Sequence, residues 1–160
     1  MIKKVKIFPL EVVVRNIAAG SICKRLGLKE GLILKKSLIE FFYKCDELDD
    51  PLITREHIEM FGWASKNDMK KITSLTFKIN TVLSKLFGSI NLKLVDFKIE
   101  FGKYSFGKKY KIILADEISP DSCRLWDAKT NKSLDKDRFR KDLGNIKEAY
   151  EEVAQRLGVL

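Results

Sequence analysis

Leu92-Lys93-Leu94-Val95-Asp96-Phe97-Lys98-Ile99-Glu100-Phe101 is the stretch that decides the fold class. Its period is two. Successive side chains on a β-strand point to opposite faces, so Val95, Phe97, Ile99 and Phe101 share one face and Asp96, Lys98 and Glu100 the other. The apolar row predicts a strand packed on a core. The charged row predicts an open sheet face. Just upstream the period changes. Met69, Ile72, Leu75, Ile79, Leu83 and Leu86 recur at spacings of three and four, which predicts an amphipathic helix over 66–87. Ser65 with Asp68 has the pattern of a capping box, and Gly88 predicts the stop.

Downstream, 109–115 reads as a second strand, and the intervening 102–108 predicts an antiparallel hairpin. Two helices are predicted near 135–143 and 145–157. Towards the N-terminus, 3–8 and 10–17 read as two short strands split by Pro9, a residue that argues against a central, fully paired position. Residues 18–26 predict a turn opening a short helix closed by Gly27. The run 33–44 fits either a strand or a helix, and 46–53, acidic and carrying Pro51, predicts an exposed loop. No internal repeat, low-complexity tract or linker interrupts the chain. The expectation is a single α+β domain over 1–160, an antiparallel sheet with flanking helices.

Composition bounds the function. Of 160 residues, 45% are hydrophobic and 33% charged, the balance of a soluble globular chain rather than a disordered one. No apolar run approaches the roughly 20 residues that span a bilayer. Met1-Ile2-Lys3-Lys4 has charge but no apolar stretch after it, which argues against a signal peptide. Cys23, Cys45 and Cys123 are odd in number and widely spaced, so free thiols in a reducing cytoplasm are expected. His57 is the lone histidine, and nothing around it suggests a catalytic triad. The net charge of +9 favours anionic partners. A basic nucleic-acid-binding module is one reading. The lysines, however, are scattered among acids rather than gathered in a stripe, which favours nucleotides and phosphorylated metabolites.

Four segments carry candidate chemistry. Asp96, Lys98 and Glu100 alternate carboxylate, ammonium and carboxylate along one face, a pattern that suits a magnesium-phosphate site. The same row taken alone also fits an ordinary solvated face. Asp116, at the end of the next strand, comes near Lys98 and Glu100 if the hairpin forms. In Arg15-Asn16-Ile17-Ala18-Ala19-Gly20-Ser21, small residues let the backbone approach a ligand and Ser21 opens a helix, an anion site in outline or a plain helix cap. Ser119-Pro120-Asp121 is turn chemistry that presents Asp121 and Arg124 from a loop. Lys136-Asp137-Arg138-Phe139-Arg140-Lys141 is a basic helix start.

In order, these segments resemble SAICAR synthetase (phosphoribosylaminoimidazole-succinocarboxamide synthase). Phe8–Ser21 resembles one signature of that family and Leu94–Gly102 the other; Phe61-Gly62-Trp63 and Asp116–Asp127 also match, through Asp137–Arg140. The resemblance covers essentially the whole chain. It implies the ATP-grasp-like C-terminal part of the enzyme and an ATP-dependent ligation of L-aspartate to carboxyaminoimidazole ribotide (CAIR), giving SAICAR, ADP and phosphate. It implies ATP and Mg²⁺ as cofactors, served by Glu100 and Asp116. It implies that Arg15, Ser21, Asp96, Lys98, Asp121, Arg124, Lys136 and Arg140 bind the other substrates, with Lys98 and Arg15 stabilising charge in the reaction. A cytoplasmic homo-oligomer acting on small molecules, with neither nucleic acid nor membrane as partner, is expected. Members also carry an N-terminal lobe with a glycine-lysine phosphate loop, which is expected to be missing here or supplied by a separate chain. A related ATP-dependent small-molecule kinase is the nearest alternative, and the Arg15–Ser21 motif argues against it.

Overall fold

The computed structural model describes residues 3–135, 137–140 and 146–159. Strands β1 (Lys6–Ile17), β2 (Ile33–Tyr43), β3 (Leu52–Ile53), β4 (Leu92–Phe106), β5 (Lys109–Leu114) and β6 (Cys123–Asp127) form one sheet. Its order is β3-β2-β1-β4-β5, with β6 also paired to β4. The β2–β3, β4–β5 and β4–β6 pairs are antiparallel. Helices α1 (Ser21–Leu26), α2 (Arg55–Met60), α3 (Lys66–Ser89), α4 (Asp137–Arg140) and α5 (Ile146–Leu157) complete the α+β fold. Among the described residues, no helix is long and apolar enough to cross a membrane.

The period-two reading of β4 holds on its apolar face. Val95, Phe97, Ile99 and Phe101 are all buried. The charged face is a correction, because Asp96 and Glu100 are buried as well. A charge leaves water only when paired, and both carboxylates are paired. β4 also runs further than expected. It reaches Phe106 and turns through Gly107 and Lys108, where Gly107 takes a φ of 60° that favours glycine. A register shift between Leu94 and Asp96 marks a bulge in its pairing with β6.

Pro9 does not split β1. The strand runs unbroken from Lys6 to Ile17 between β2 and β4. Proline lacks only the N–H, and its carbonyl accepts from the Lys44 N–H at 3.1 Å. The ambiguous 33–44 run is a strand. The acidic loop holds a 3-10 turn at Asp46–Leu48 and the short β3.

In α3 the capping box forms in both directions, Ser65 Oγ accepting from the Asp68 N–H and Asp68 Oδ2 from the Ser65 N–H. The buried stripe is Met69, Ile72, Thr76, Asn80, Leu83 and Phe87, while Leu86 is exposed. Thr76 and Asn80 are polar, so an apolar count alone rotates the predicted face. Gly88 lies inside the last turn, and Asn91, with φ of 58°, follows the end. Gly27 closes α1 in the left-handed conformation as expected. The segment read as a loop before Asp127 contains β6.

Two compact units divide the chain. The first comprises 1–14, 39–79 and 98–117, and the second 15–38, 80–97 and 118–160.

Candidate functional site

Each unit carries a charge cluster. In the first, Lys44 follows β2 and its Nζ donates to both oxygens of Glu100 at 2.7 Å. Lys98 Nζ donates to Glu11 and lies 3.7 Å from Glu100. The β4–β5 hairpin brings the next residues in, with the Ala115 N–H bonded to the Glu100 carbonyl at 3.0 Å. Asp116 follows and acts on Lys98. Burial disfavours the Lys98 charge, but Glu11, Glu100 and Asp116 outweigh it and raise its pKa above the ordinary lysine value. Glu11 belongs to this cluster and sequence reasoning passed over it; its signal was the alternation of β1, which sets it between buried Leu10 and Val12. A cavity of about 460 Å³ nearby is lined by Ile7, Phe8, Pro9, Lys44 and Asp46.

Could this cluster hold a divalent cation? Among the described residues, no group of three or more His, Cys, Asp or Glu is gathered for one. Glu100 and Asp116 nevertheless fit the sparser requirement of Mg²⁺, which is commonly held by one or two carboxylates, with phosphate oxygens and water completing the octahedron. Glu100 already accepts a cationic group, the Lys44 ammonium.

The second unit holds a tighter cluster. Asp96 on β4 accepts from Arg15 Nη1 at 3.0 Å and from Arg124 Nη1 at 2.8 and 3.0 Å. Arg124 Nε donates to Asp137 Oδ2 at 2.6 Å. Arg15 Nη2 donates to Ser21 Oγ at 3.0 Å, and Arg25 Nη1 to the same oxygen at 3.1 Å. Burial raises the Asp96 pKa, and the guanidiniums of Arg124 and Arg15 only partly offset it. Burial works against the Arg124 charge too, but Asp96 and Asp137 outweigh it and hold its pKa above the ordinary value.

Gly20 completes this seat. Its φ is +63°, and a Cβ there would lie 2.6 Å from Arg124 Nη2. The close backbone approach expected of the Arg15–Ser21 motif is thus made to Arg124. With Nε and Nη1 fixed by carboxylates, Nη2 is the part of Arg124 bonded to none of the described side chains. α1 has six residues, and its Ser21 hydroxyl is taken by arginines.

Asp121 sits in the expected turn and accepts from the Tyr150 hydroxyl at 2.6 Å. Burial and Asp121 push that hydroxyl's pKa well above the usual tyrosine value. In the second unit, sequence reasoning missed the roles of Asp135 and Asp137. Asp135 Oδ2 accepts from the Leu125 N–H and its Oδ1 from the Asp137 N–H, both at 2.8 Å, so it joins β6 to the start of α4. The D-x-D spacing was visible, but β6 was not. Lys136 lies outside the described residues. Arg140 lies in α4, and its side chain is outside them.

The α+β sheet thus carries two charge clusters, one built on lysines around Glu100 and one on arginines around Asp96. The SAICAR synthetase family profile matches residues 1–157. The phosphoribosylaminoimidazole-succinocarboxamide synthase of Sinorhizobium fredii is 58% identical over 160 residues, all of this chain and 63% of that relative. The crystal structure of the Ehrlichia chaffeensis synthase superposes with a TM-score of 0.96 at 51% identity, covering 99% of this chain and 67% of that one. A SAICAR synthetase in complex with ADP superposes at 0.91 with 50% identity, over 96% of this chain and 64% of that one. The chain belongs to the SAICAR synthetase family, and it spans 63% of the length of its first relative.

Proposed function

We propose that this chain carries the carboxylate and arginine residues of an ATP-dependent ligase that joins L-aspartate to CAIR, giving SAICAR, ADP and phosphate. The observation that carries the reading is the Arg15–Asp96–Arg124–Asp137 knot, which holds Arg124 Nη2 ready for an anion in a chain that matches the family from residue 1 to 157. The ADP complex of a relative at 50% identity supports nucleotide use.

In this reading the first cluster serves ATP in an ATP-grasp-like arrangement. Glu100 and Asp116 would hold Mg²⁺, which would offset the negative charge of the nucleotide phosphates. Lys44 moves from Glu100 to a phosphate oxygen, as a flexible point charge can. Lys98, braced by Glu11, offsets charge on the transferring phosphoryl group. The second cluster serves the other substrates, with Arg15, Arg124 and Ser21 binding the phosphate and carboxylates. Asp96 keeps both guanidiniums aligned, and Asp121, Lys136 and Arg140 complete the recognition.

The reaction needs no covalent enzyme intermediate. A CAIR carboxylate oxygen takes the γ-phosphoryl group as its bond to the β-phosphate oxygen breaks, and ADP leaves. The aspartate amine then attacks the acyl carbon. A C–N bond forms, the C–O bond to phosphate breaks, and the amine loses a proton. The protein aligns three anionic reactants and compensates their charge. Residues 1–160 act in this as one catalytic domain of a cytoplasmic homo-oligomer.

The test is ADP release in the presence of ATP, CAIR and L-aspartate, with the chain supplemented, fused or in trans, by the remaining segment of a full-length relative. Release that requires all three substrates supports the reading. Release without aspartate would replace ligase with kinase.

A further inference from the structure

The β4–β5 hairpin of the first unit carries a surface that the proposed ligase does not use. From Gly102 to Ala115 the chain has four lysines, three aromatic residues and no acid. In residue order these lysines are part of a charge scattered along the whole chain; the hairpin gathers them. Tyr104 lies opposite Lys111, and Phe106 opposite Lys109. Directly opposed residues of an antiparallel pair share a face, so two rings and two ammonium groups stand on one side of the hairpin. Lys3 joins them, with its Nζ 5.1 Å from the centre of the Tyr104 ring. Lys111 Nζ lies 5.7 Å from the centre of the Phe106 ring, and the two ring centres are 6.3 Å apart. Contacts of that length between an ammonium group and a ring are attractive, so they hold the cations beside the rings.

Both kinds of group are within reach of a partner. Phe106 is exposed, and so are Lys3, Lys109 and Lys111. Lys103, on the opposite face, is different, because its Nζ lies 2.8 Å from the buried Asp68 carboxylate. Among the described residues, Lys3, Lys109 and Lys111 form no ion pair with a carboxylate. A patch of one sign with no counter-charge of its own attracts a partner of the other sign.

We propose that this face of the hairpin binds single-stranded nucleic acid. Proteins that hold a single strand without reading its sequence combine a basic track for the phosphates with aromatic side chains on which bases stack. Lysines held beside the rings meet both needs together, since a base stacked on Tyr104 or Phe106 brings its own phosphate to an ammonium group. An acidic polypeptide would engage the cations and leave the rings idle. A duplex, whose bases are already stacked on one another, would do the same. None of Lys3, Tyr104, Phe106, Lys109 and Lys111 has a role in the proposed ligase, so this surface stands or falls apart from it.

The test is fluorescence anisotropy of a labelled oligouridine of about 20 nucleotides, titrated with the full chain at low salt, where a Kd of about 1–100 µM is expected. Lys109→Gln with Lys111→Gln should weaken binding at least about tenfold and flatten the slope of log K against log salt by about 1.4, roughly 0.7 for each lost phosphate contact. Tyr104→Leu with Phe106→Leu should weaken it at least about fivefold and leave that slope unchanged; should the pair lower the melting temperature, Phe106→Leu alone replaces it. Lys78→Gln with Lys85→Gln makes the same charge change at exposed positions on α3 and should bind like the parent. No binding at about 100 µM chain overturns the proposal. A loss from the α3 pair as large as that from the hairpin pair overturns the site. Ring variants that bind like the parent, or displacement by polyglutamate as effective as by unlabelled oligouridine of equal charge, overturn the nucleic-acid class.

Discussion

The two charge clusters are built from different cations, and the difference is instructive. In the first unit the cations are lysines, 43% and 34% exposed at Lys44 and Lys98, gripping a Glu100 side chain that is 7% exposed. In the second they are arginines, 3% exposed at Arg15 and 14% at Arg124, around an Asp96 that is 6% exposed. A lysine on a flexible stem can release its acid to a competing cation, whereas a planar, always-charged guanidinium held by two carboxylates cannot easily turn. One cluster is suited to exchange partners, the other to stay in place.

Asp96→Ala should break this contrast most severely. It removes the carboxylate shared by buried Arg15 and partly buried Arg124, leaving Arg124 to Asp137, and the expected loss is roughly 3–5 kcal/mol, read as a large fall in melting temperature. A small loss would mean that the knot is not structural. Gly20→Ala is next. It adds a Cβ where φ is +63° and Nη2 of Arg124 is 2.6 Å away. It should cost about 1–3 kcal/mol in backbone strain and weaken CAIR binding; unchanged binding would separate Gly20 from the placement of Arg124.

Asp68 sharpens the comparison from inside the first unit, because it is a fixed carboxylate there. Burial raises its pKa, but bonds from Lys103, Tyr110 and Ser65 outweigh this and bring it to about 2 from 3.8. A lowered folded-state pKa contributes stability above the unfolded value, lost as pH falls through the folded one. About 2 kcal/mol should therefore disappear between pH 4 and pH 2. Denaturant titrations across that window should show the slope in the parent and a flatter one in Asp68→Asn.

The smallest expected change in stability is that of Glu100→Ala, below about 1 kcal/mol, because Lys44 can return to water and Lys98 keeps Glu11. Nucleotide affinity in Mg²⁺ should nevertheless fall at least about tenfold. Titration and melting on one sample test both. A collapsed melt would show that the first cluster is as structural as the second.

Much of this was legible in residue order. The alternation of Val95, Phe97, Ile99 and Phe101 placed β4, and the spacing from Met69 to Leu83 placed α3. What escaped was set by partners distant in sequence. Asp96 and Glu100 alternate like solvent-facing residues, and only Arg15, Arg124 and Lys44 make their burial possible. Pro9 sits in a central strand because the Lys44 N–H uses its carbonyl. β6 looked like a loop because the turn chemistry of Ser119-Pro120-Asp121 leads straight into it, and the charges it carries at Arg124 and Asp127 are consumed, by Asp96 and Asp137 in one case and by Arg156 in the other. Asp137 could be read only once β6 was in place beside α4.

The bond from the Leu125 N–H to Asp135 has a consequence for β6 as a sheet margin. β4 takes one side of that strand. On the other, Leu134 donates to the Leu125 carbonyl at 2.8 Å, and the Asp127 N–H donates to the Lys132 carbonyl at 2.9 Å. A strand whose outer groups are consumed offers no template to a second chain, which is how sheets avoid polymerising through their margins. The Leu125 amide should accordingly exchange its hydrogen slowly although, among the described residues, β4 is the one strand paired with β6, and Asp135→Ala, by unlatching that amide, should make the protein prone to self-association on storage.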